Sequence, residues 1–164
     1  MTTTRIAKAK IKDGQFIVEI TGRDKDTEKL TTLTCSKSKI HADLEAAFAG
    51  LADSVREILE WPSNLYKPYG TETDDIRVTG VSWSWSQSTE VEGACIVFQV
   101  DLEGCTSPFC GTTPHLPYDQ YSEGGEQPVM SDGCQDALNK LKAEVQRFLD
   151  GKRADDLFSV PEAA

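Results

Sequence analysis

The stretch from Ile76 to Leu102 constrains the fold more than any other. It reads as two strands joined by a polar turn: IRVTGVSWSWSQ, then STEVE, then GACIVFQVDL. It holds two of the three tryptophans and a dense run of β-branched and aromatic residues, the types that suit a pleated, half-buried surface. A lone hairpin of this kind is marginal in water and needs further strands and a covering helix. On its second strand Ala94, Ile96, Phe98, Val100 and Leu102 share one face, with Cys95, Val97, Gln99 and Asp101 opposite. On its first strand the same two-residue repeat puts Val81, Trp83 and Trp85 on one face. Ile76, Val78, Gly80, Ser82 and Ser84 are then expected on the other. The tryptophans either join the core or form an outer apolar patch able to bind a partner.

The flanking sequence supplies the missing parts. Residues 5–21 alternate on both sides of Lys12-Asp13-Gly14, and an Asp-Gly pair there is a hairpin signal because it accepts positive φ. Ala7, Ala9 and Ile11 are expected on one face of the first strand and Lys8, Lys10 and Lys12 on the other. Lys29–Cys35 is a third candidate strand. Ile40, Leu44, Phe48, Leu51, Val55, Ile58 and Leu59 then recur at steps of three and four, predicting a helix over 39–60 with Ser36 or Ser38 as its cap. Gly50 falls inside it, at a cost of up to about 1 kcal/mol against alanine. Residues 62–75 form a long connection with Tyr66 and Tyr69. Residues 103–131 are rich in Gly, Pro and Ser and read as a long loop, with a candidate short strand at Thr113–Tyr118. A second helix is expected over 133–150, capped by Ser131 or Asp132 and ended by Gly151; Leu138, Leu141, Val145 and Phe148 or Leu149 make its stripe.

These elements predict an α+β fold: an antiparallel sheet of about five strands, order βββαββα, with two helices packed on one face. At 164 residues one domain is the default, here 1–151, followed by a polar tail over 152–164. The chain has no apolar run near the ~20 residues of a membrane span, and MTTTRIAKAK lacks the apolar core of a secretory signal. A cytoplasmic protein is the expectation.

The net charge of −10 is unevenly spread. Residues 1–40 carry nine Lys/Arg against five Asp/Glu, whereas residues 41–164 carry eight against twenty-two. That body repels nucleic acid at long range. It also fits an acidic DNA mimic that would block a nucleic-acid-binding host defence protein, although the carboxylates are scattered, with adjacent pairs only at Asp74-Asp75 and Asp155-Asp156. The Lys8, Lys10 and Lys12 stripe is either a solvated edge strand or a phosphate-binding strip; no aromatic interleaves it to stack bases.

Chemistry-bearing motifs are few. Glycine-rich phosphate loops, H-E-x-x-H and G-x-S-x-G are absent. His41, beside Asp43 and Glu45, reads as a surface histidine. A Ser-His-Asp arrangement would need His115 at its centre. The five cysteines are odd in number and the chain has no export signal, which speaks against a disulfide framework. Cys35 and Cys95 sit in strand patterns. Cys105, Cys110, His115 and Cys134 are the one set with metal-ligand character, and three thiolates with an imidazole can hold zinc. The tight Cys-x2-Cys turn of zinc ribbons is missing. A binding protein is therefore expected before an enzyme, with a zinc-containing enzyme or binding module using residues 105–134 as the alternative.

The tail is the most pointed feature. Asp155-Asp156-Leu157-Phe158 follows a helix and a Gly-Lys-Arg-Ala spacer. It resembles the short Leu-Phe peptides that dock on bacterial DNA sliding clamps, with Ala154 or Asp155 where the usual glutamine would stand. The ending as a whole resembles the C-termini of small phage- and prophage-encoded proteins. The resemblance implies a setting in phage DNA replication or host takeover, in the host cytoplasm. It implies a protein partner met by Asp156, Leu157 and Phe158, and no reaction. Against it stands the simple possibility that Leu157 and Phe158 fold back onto the protein's own sheet.

Overall fold

A computed structural model describes residues 3–24, 27–60, 76–86, 88–101 and 104–154. The chain is α+β, with one antiparallel sheet and its helices gathered on one face. The strands are β1 (Thr3–Lys12), β2 (Gln15–Asp24), β3 (Thr27–Ser36), β4 (Ile76–Trp85), β5 (Glu92–Val100), β6 (Phe109–Thr112) and β7 (Leu116–Pro117). The helices are α1 (Ala42–Ala49), α2 (Ala52–Ile58) and α3 (Asp132–Leu149). The sheet runs β3-β2-β1-β4-β5-β6, and β7 pairs with β5 beyond the end of β6. Among the described residues no helix is long and apolar enough to cross a membrane.

The first turn forms as the sequence dictates. β1 ends at Lys12, β2 begins at Gln15, and the two residues between have φ of 52° at Asp13 and 74° at Gly14. Two consecutive positive-φ residues give the turn whose twist matches antiparallel strands. β2 then pairs with β3 over ten residues without a break in register.

Two bulges reset the faces. The register slips between Ile6 and Lys8 in β1, and between Val78 and Gly80 in β4. One extra residue in a strand reverses the side of everything beyond it. Ile6, Ala9 and Ile11 therefore share the helix side, in place of the expected Ala7, Ala9 and Ile11. Likewise Ile76 and Val78 join Val81, Trp83 and Trp85 on the helix side, where strict alternation had placed them opposite. Gly80 sits at the bulge for a steric reason: a Cβ there would stand 3.0 Å from Lys10 Cβ on the neighbouring strand. On β5 Ala94, Ile96, Phe98 and Val100 of the expected set are buried together, and Leu102 lies outside the described residues.

The predicted helix over 39–60 is two helices. Its apolar stripe is intact, with Leu44, Phe48, Leu51 and Val55 all buried, but the ladder breaks at Gly50-Leu51. The N-cap is His41, not Ser36 or Ser38: its Nδ1 accepts from Asp43 N–H at 3.0 Å. α3 is capped by Ser131, whose hydroxyl accepts from Cys134 N–H at 3.3 Å, and Gly151 at φ 110° turns the chain after it. Its stripe, Cys134, Leu138, Leu141, Val145 and Phe148, is buried. Phe16 of β2 joins the layers, lying edge-on to Phe48 at 6.2 Å and to Phe148 at 4.8 Å.

The strand count exceeds the expected five because residues 103–131 are not all loop. β6 and β7 line the far side of β5, and Thr113 between them donates its N–H to Ile96 O and accepts from Ile96 N–H on its Oγ1, both at 2.9 Å. The expected strand at 113–118 is thus reduced to Leu116–Pro117.

Candidate binding cleft

The helix side of the sheet is not fully covered. Where β1 begins and β4 ends, α3 and the sheet diverge to leave a cleft of about 910 Å³. Ile6, Ile20, Ala143 and Leu149 give it apolar walls; Asn139 and Gln146 bring amides from the outer turns of α3. Trp85 is half-buried in this wall, whereas Trp83, two residues back, is 3% exposed and belongs to the core. Both tryptophans therefore lie on the helix side.

Charge in the cleft is organised around the indoles. The Arg5 guanidinium carbon stands 5.0 Å above the Trp85 ring, and Lys142 Nζ is 5.1 Å from the Trp83 centroid and 6.0 Å from that of Trp85. Cations over indole faces are held by the ring quadrupole. Lys142 also pairs with Glu92 on β5. Among the described residues Arg5 makes no ion pair, so its charge is offered to the cleft. Glu90, at φ 57° in the β4–β5 turn, lies at the rim.

Behind the indoles Trp83 Nε1 donates to the Tyr118 hydroxyl at 3.0 Å. Burial pushes the Tyr118 phenol up, the Glu92 carboxylate pushes it further, and the Trp83 hydrogen bond only partly offsets them. At neutral pH it is a fixed neutral support for the indole.

The sequence-derived candidates are dispersed. Lys8, Lys10 and Lys12 do share the open face, but on a central strand rather than an edge, and Lys8 lies 4.0 Å from Glu19 on β2. No described strand residue of that face is Phe, Tyr or Trp. Of the four metal candidates, Cys134 is 1% exposed in the core on α3, and burial raises its thiol above the ordinary range. Cys105 and Cys110 are exposed near the β6 edge, and His115 lies beyond it. Among the described residues no three His, Cys, Asp or Glu side chains gather where they could hold a metal ion.

His115 instead meets Ser84, Nε2 to Oγ, at 2.8 Å, with its ring laid over Gly93. The pair is exposed, and no third group orients the imidazole among the described residues. It lacks the base–acid coupling of a hydrolytic triad.

The tail motif Asp156-Leu157-Phe158, the Asp74-Asp75 pair, Tyr66 and Tyr69 lie outside the described residues. The chain leading to the tail is fastened. Lys152 bridges Asp43 at 2.7 Å and Glu144 at 3.1 Å, Arg153 stacks on Phe148 at 3.7 Å, and Ala154 N–H donates to Lys39 O at 2.9 Å. Residues 152–154, assigned from sequence to the tail, thus contact the body.

The cleft was missed because its parts are far apart in sequence, at positions 5, 20, 85, 92 and 142. Only the paired tryptophans signalled it. Comparison with protein-family models, with curated proteins and with solved structures finds no match to this chain.

Proposed function

We propose that this chain is a non-catalytic interaction protein that holds a short segment of a partner protein in the cleft between α3 and the sheet. The observation that supports this is Arg5: a guanidinium with no ion pair among the described residues, set over a half-buried indole. A carboxylate is the natural counterion for that group. Beside it, Trp85, Ile20 and Leu149 offer apolar surface for a neighbouring aliphatic or aromatic side chain. The fitting segment therefore pairs an acidic residue with an apolar one. Glu92 is already neutralised by Lys142, and the remaining lining charges, Arg5 and Glu90, leave the cleft without net charge.

A second reading puts the contact in the C-terminal peptide. It is favoured by the Ala154–Lys39 hydrogen bond, which fixes a point on the body just before Asp156-Leu157-Phe158. In this reading the peptide docks on a component of DNA metabolism such as a sliding clamp, as the sequence resemblance implies.

One experiment separates the two. Tagged full-length protein is used to capture host proteins, and a purified sliding clamp is tested in parallel. Cleft binding is lost in Arg5→Ala and Trp85→Ala and kept in a Leu157→Ser, Phe158→Ser double variant. Tail binding shows the reverse pattern. Capture that survives all of these changes removes both readings.

A further inference from the structure

The two edges of the sheet are treated in opposite ways. The β6/β7 edge is short and broken: four residues, an interruption at 113–115, then two residues that include Pro117. Such an edge cannot template another strand. β3 forms the other edge and has none of these protections. It is ten residues long, free of proline, and in unbroken register with β2. Its described side chains from Glu28 to Thr34 are all exposed, including Leu30 at 58% and Leu33 at 43%. The bulges that kink β1 and β4 stop short of it.

We propose that β3 is the interface of a symmetric dimer, in which the β3 strands of two copies pair antiparallel and join their sheets into one. Several features select a second copy as the occupant. The β6/β7 edge is too short to receive β3, so head-to-tail pairing is closed off and the self-complementary arrangement remains. A two-fold axis normal to the sheet keeps each face on its own side. It passes near Thr31 and Thr32, the middle of Glu28-Lys29-Leu30-Thr31-Thr32-Leu33-Thr34. Leu33 and its mate then flank the axis on the helix side, level with Val18, while both Leu30 side chains lie on the open face. The strand's two charges, Glu28 and Lys29, sit towards one end and fall opposite Leu33, Thr34, Cys35 or Ser36 of the other copy, so no like charges meet. The interface is locally neutral in a chain of net charge −10, so the pairing itself adds no like-charge contact.

Sedimentation equilibrium of the full chain tests this, with amide exchange of β3 as a second readout. The expected wild-type mass is twice that of the chain at about 50 μM, where a Kd of ~1 μM leaves most chains paired. Leu33→Lys brings two ammonium groups together beside the axis and returns the protein to a monomer with an unchanged circular dichroism spectrum. Thr112→Lys, on the β6 edge, leaves the dimer intact. Should Leu33→Lys fail to fold, the wild type alone decides: β3 amides exchange faster on dilution if the strand is an interface. A wild type that is monomeric throughout, or β3 exchange independent of concentration, overturns the proposal. So does a wild-type monomer that dimerises only when Leu157 and Phe158 are replaced by serine, since the edge is then covered by the chain's own tail.

Discussion

Trp83 Nε1 donates to the Tyr118 hydroxyl at 3.0 Å, which joins β4 to the segment that follows β7. The indole is 3% exposed, so its N–H has no water to turn to. Tyr118→Phe removes the acceptor and leaves that donor unsatisfied, at a cost of about 1–3 kcal/mol. Urea denaturation should show the loss, with an unchanged slope. The phenol also has a pH signature. Its folded pKa lies above the ordinary 10, chiefly because of burial and then because of Glu92. A neutral group favoured by folding gives its full contribution below the unfolded pKa and loses it as pH rises past that value. Stability should therefore decline above about pH 10 in the wild type and decline less in Tyr118→Phe.

Gly93 makes room for the Ser84–His115 pair. A Cβ at this position would lie 2.4 Å from His115 Cε1, 2.5 Å from His115 Nε2 and 2.8 Å from Leu116 O. The imidazole can swing away, but the Leu116 carbonyl is backbone of β7. Gly93→Ala is expected to cost about 1–3 kcal/mol through overpacking, and adding His115→Ala should restore only part of it. Thermal unfolding of the single and double variants separates the two clashes; full rescue would assign the strain to the imidazole alone.

The elements legible in the sequence were those whose signal is local. Asp13-Gly14 specified its hairpin, the step pattern from Leu138 to Phe148 specified α3, and Ala94 to Val100 specified a buried strand face. Misreadings came where a single residue altered the phase. Strict alternation put Ile76 and Val78 opposite Trp83, and the bulge before Gly80 turned them back. Gly80 at that bulge packs against Lys10, a neighbour seventy residues away, which no window around Gly80 contains. β6 was hidden because Phe109-Cys-Gly-Thr is strand only by pairing with β5. The cleft was illegible for the same reason: Arg5 and Trp85 meet only once β1 and β4 are adjacent.

Gly50 separates α1 from α2, yet its backbone is right-handed helical, with φ −63° and ψ −15°. A Cβ there would meet only Ala46 O at 3.4 Å and Ala47 O at 3.7 Å, the crowding of any helix end. Nothing in its surroundings requires glycine. Gly50→Ala should therefore stabilise the protein by about 0.4–1 kcal/mol, mainly by restricting the unfolded chain. A shift of the denaturation midpoint to higher urea checks this; a shift to lower urea would show that the break between the helices needs the freedom of glycine.

Lys152 ties the C-terminal end of α3 to α1 through Asp43, at 2.7 Å. The hydrogen bond from Lys152 holds the Asp43 carboxyl below its ordinary value of 3.8, and the same bond raises the Lys152 ammonium above 10.5. The signs are opposite at the two ends of the pH scale. Asp43, depressed in the fold, contributes above its unfolded pKa, and that contribution fades as pH falls through the folded value. Lys152, raised in the fold, contributes below its unfolded pKa and loses that contribution as pH climbs through the folded one. Asp43→Asn should thus lower stability by a small amount between about pH 5 and 9, as exposed pairs do, and converge with the wild type in acid. The more sensitive readout is amide exchange at Ala154, whose N–H is held by Lys39 O. Its protection should drop in Asp43→Asn at neutral pH and in the wild type once the pH is low enough to protonate Asp43, below the ordinary carboxylate range. Protection that is insensitive to both changes would mean that Arg153, stacked on Phe148 and donating to its carbonyl, anchors the chain without help from the Asp43 bridge.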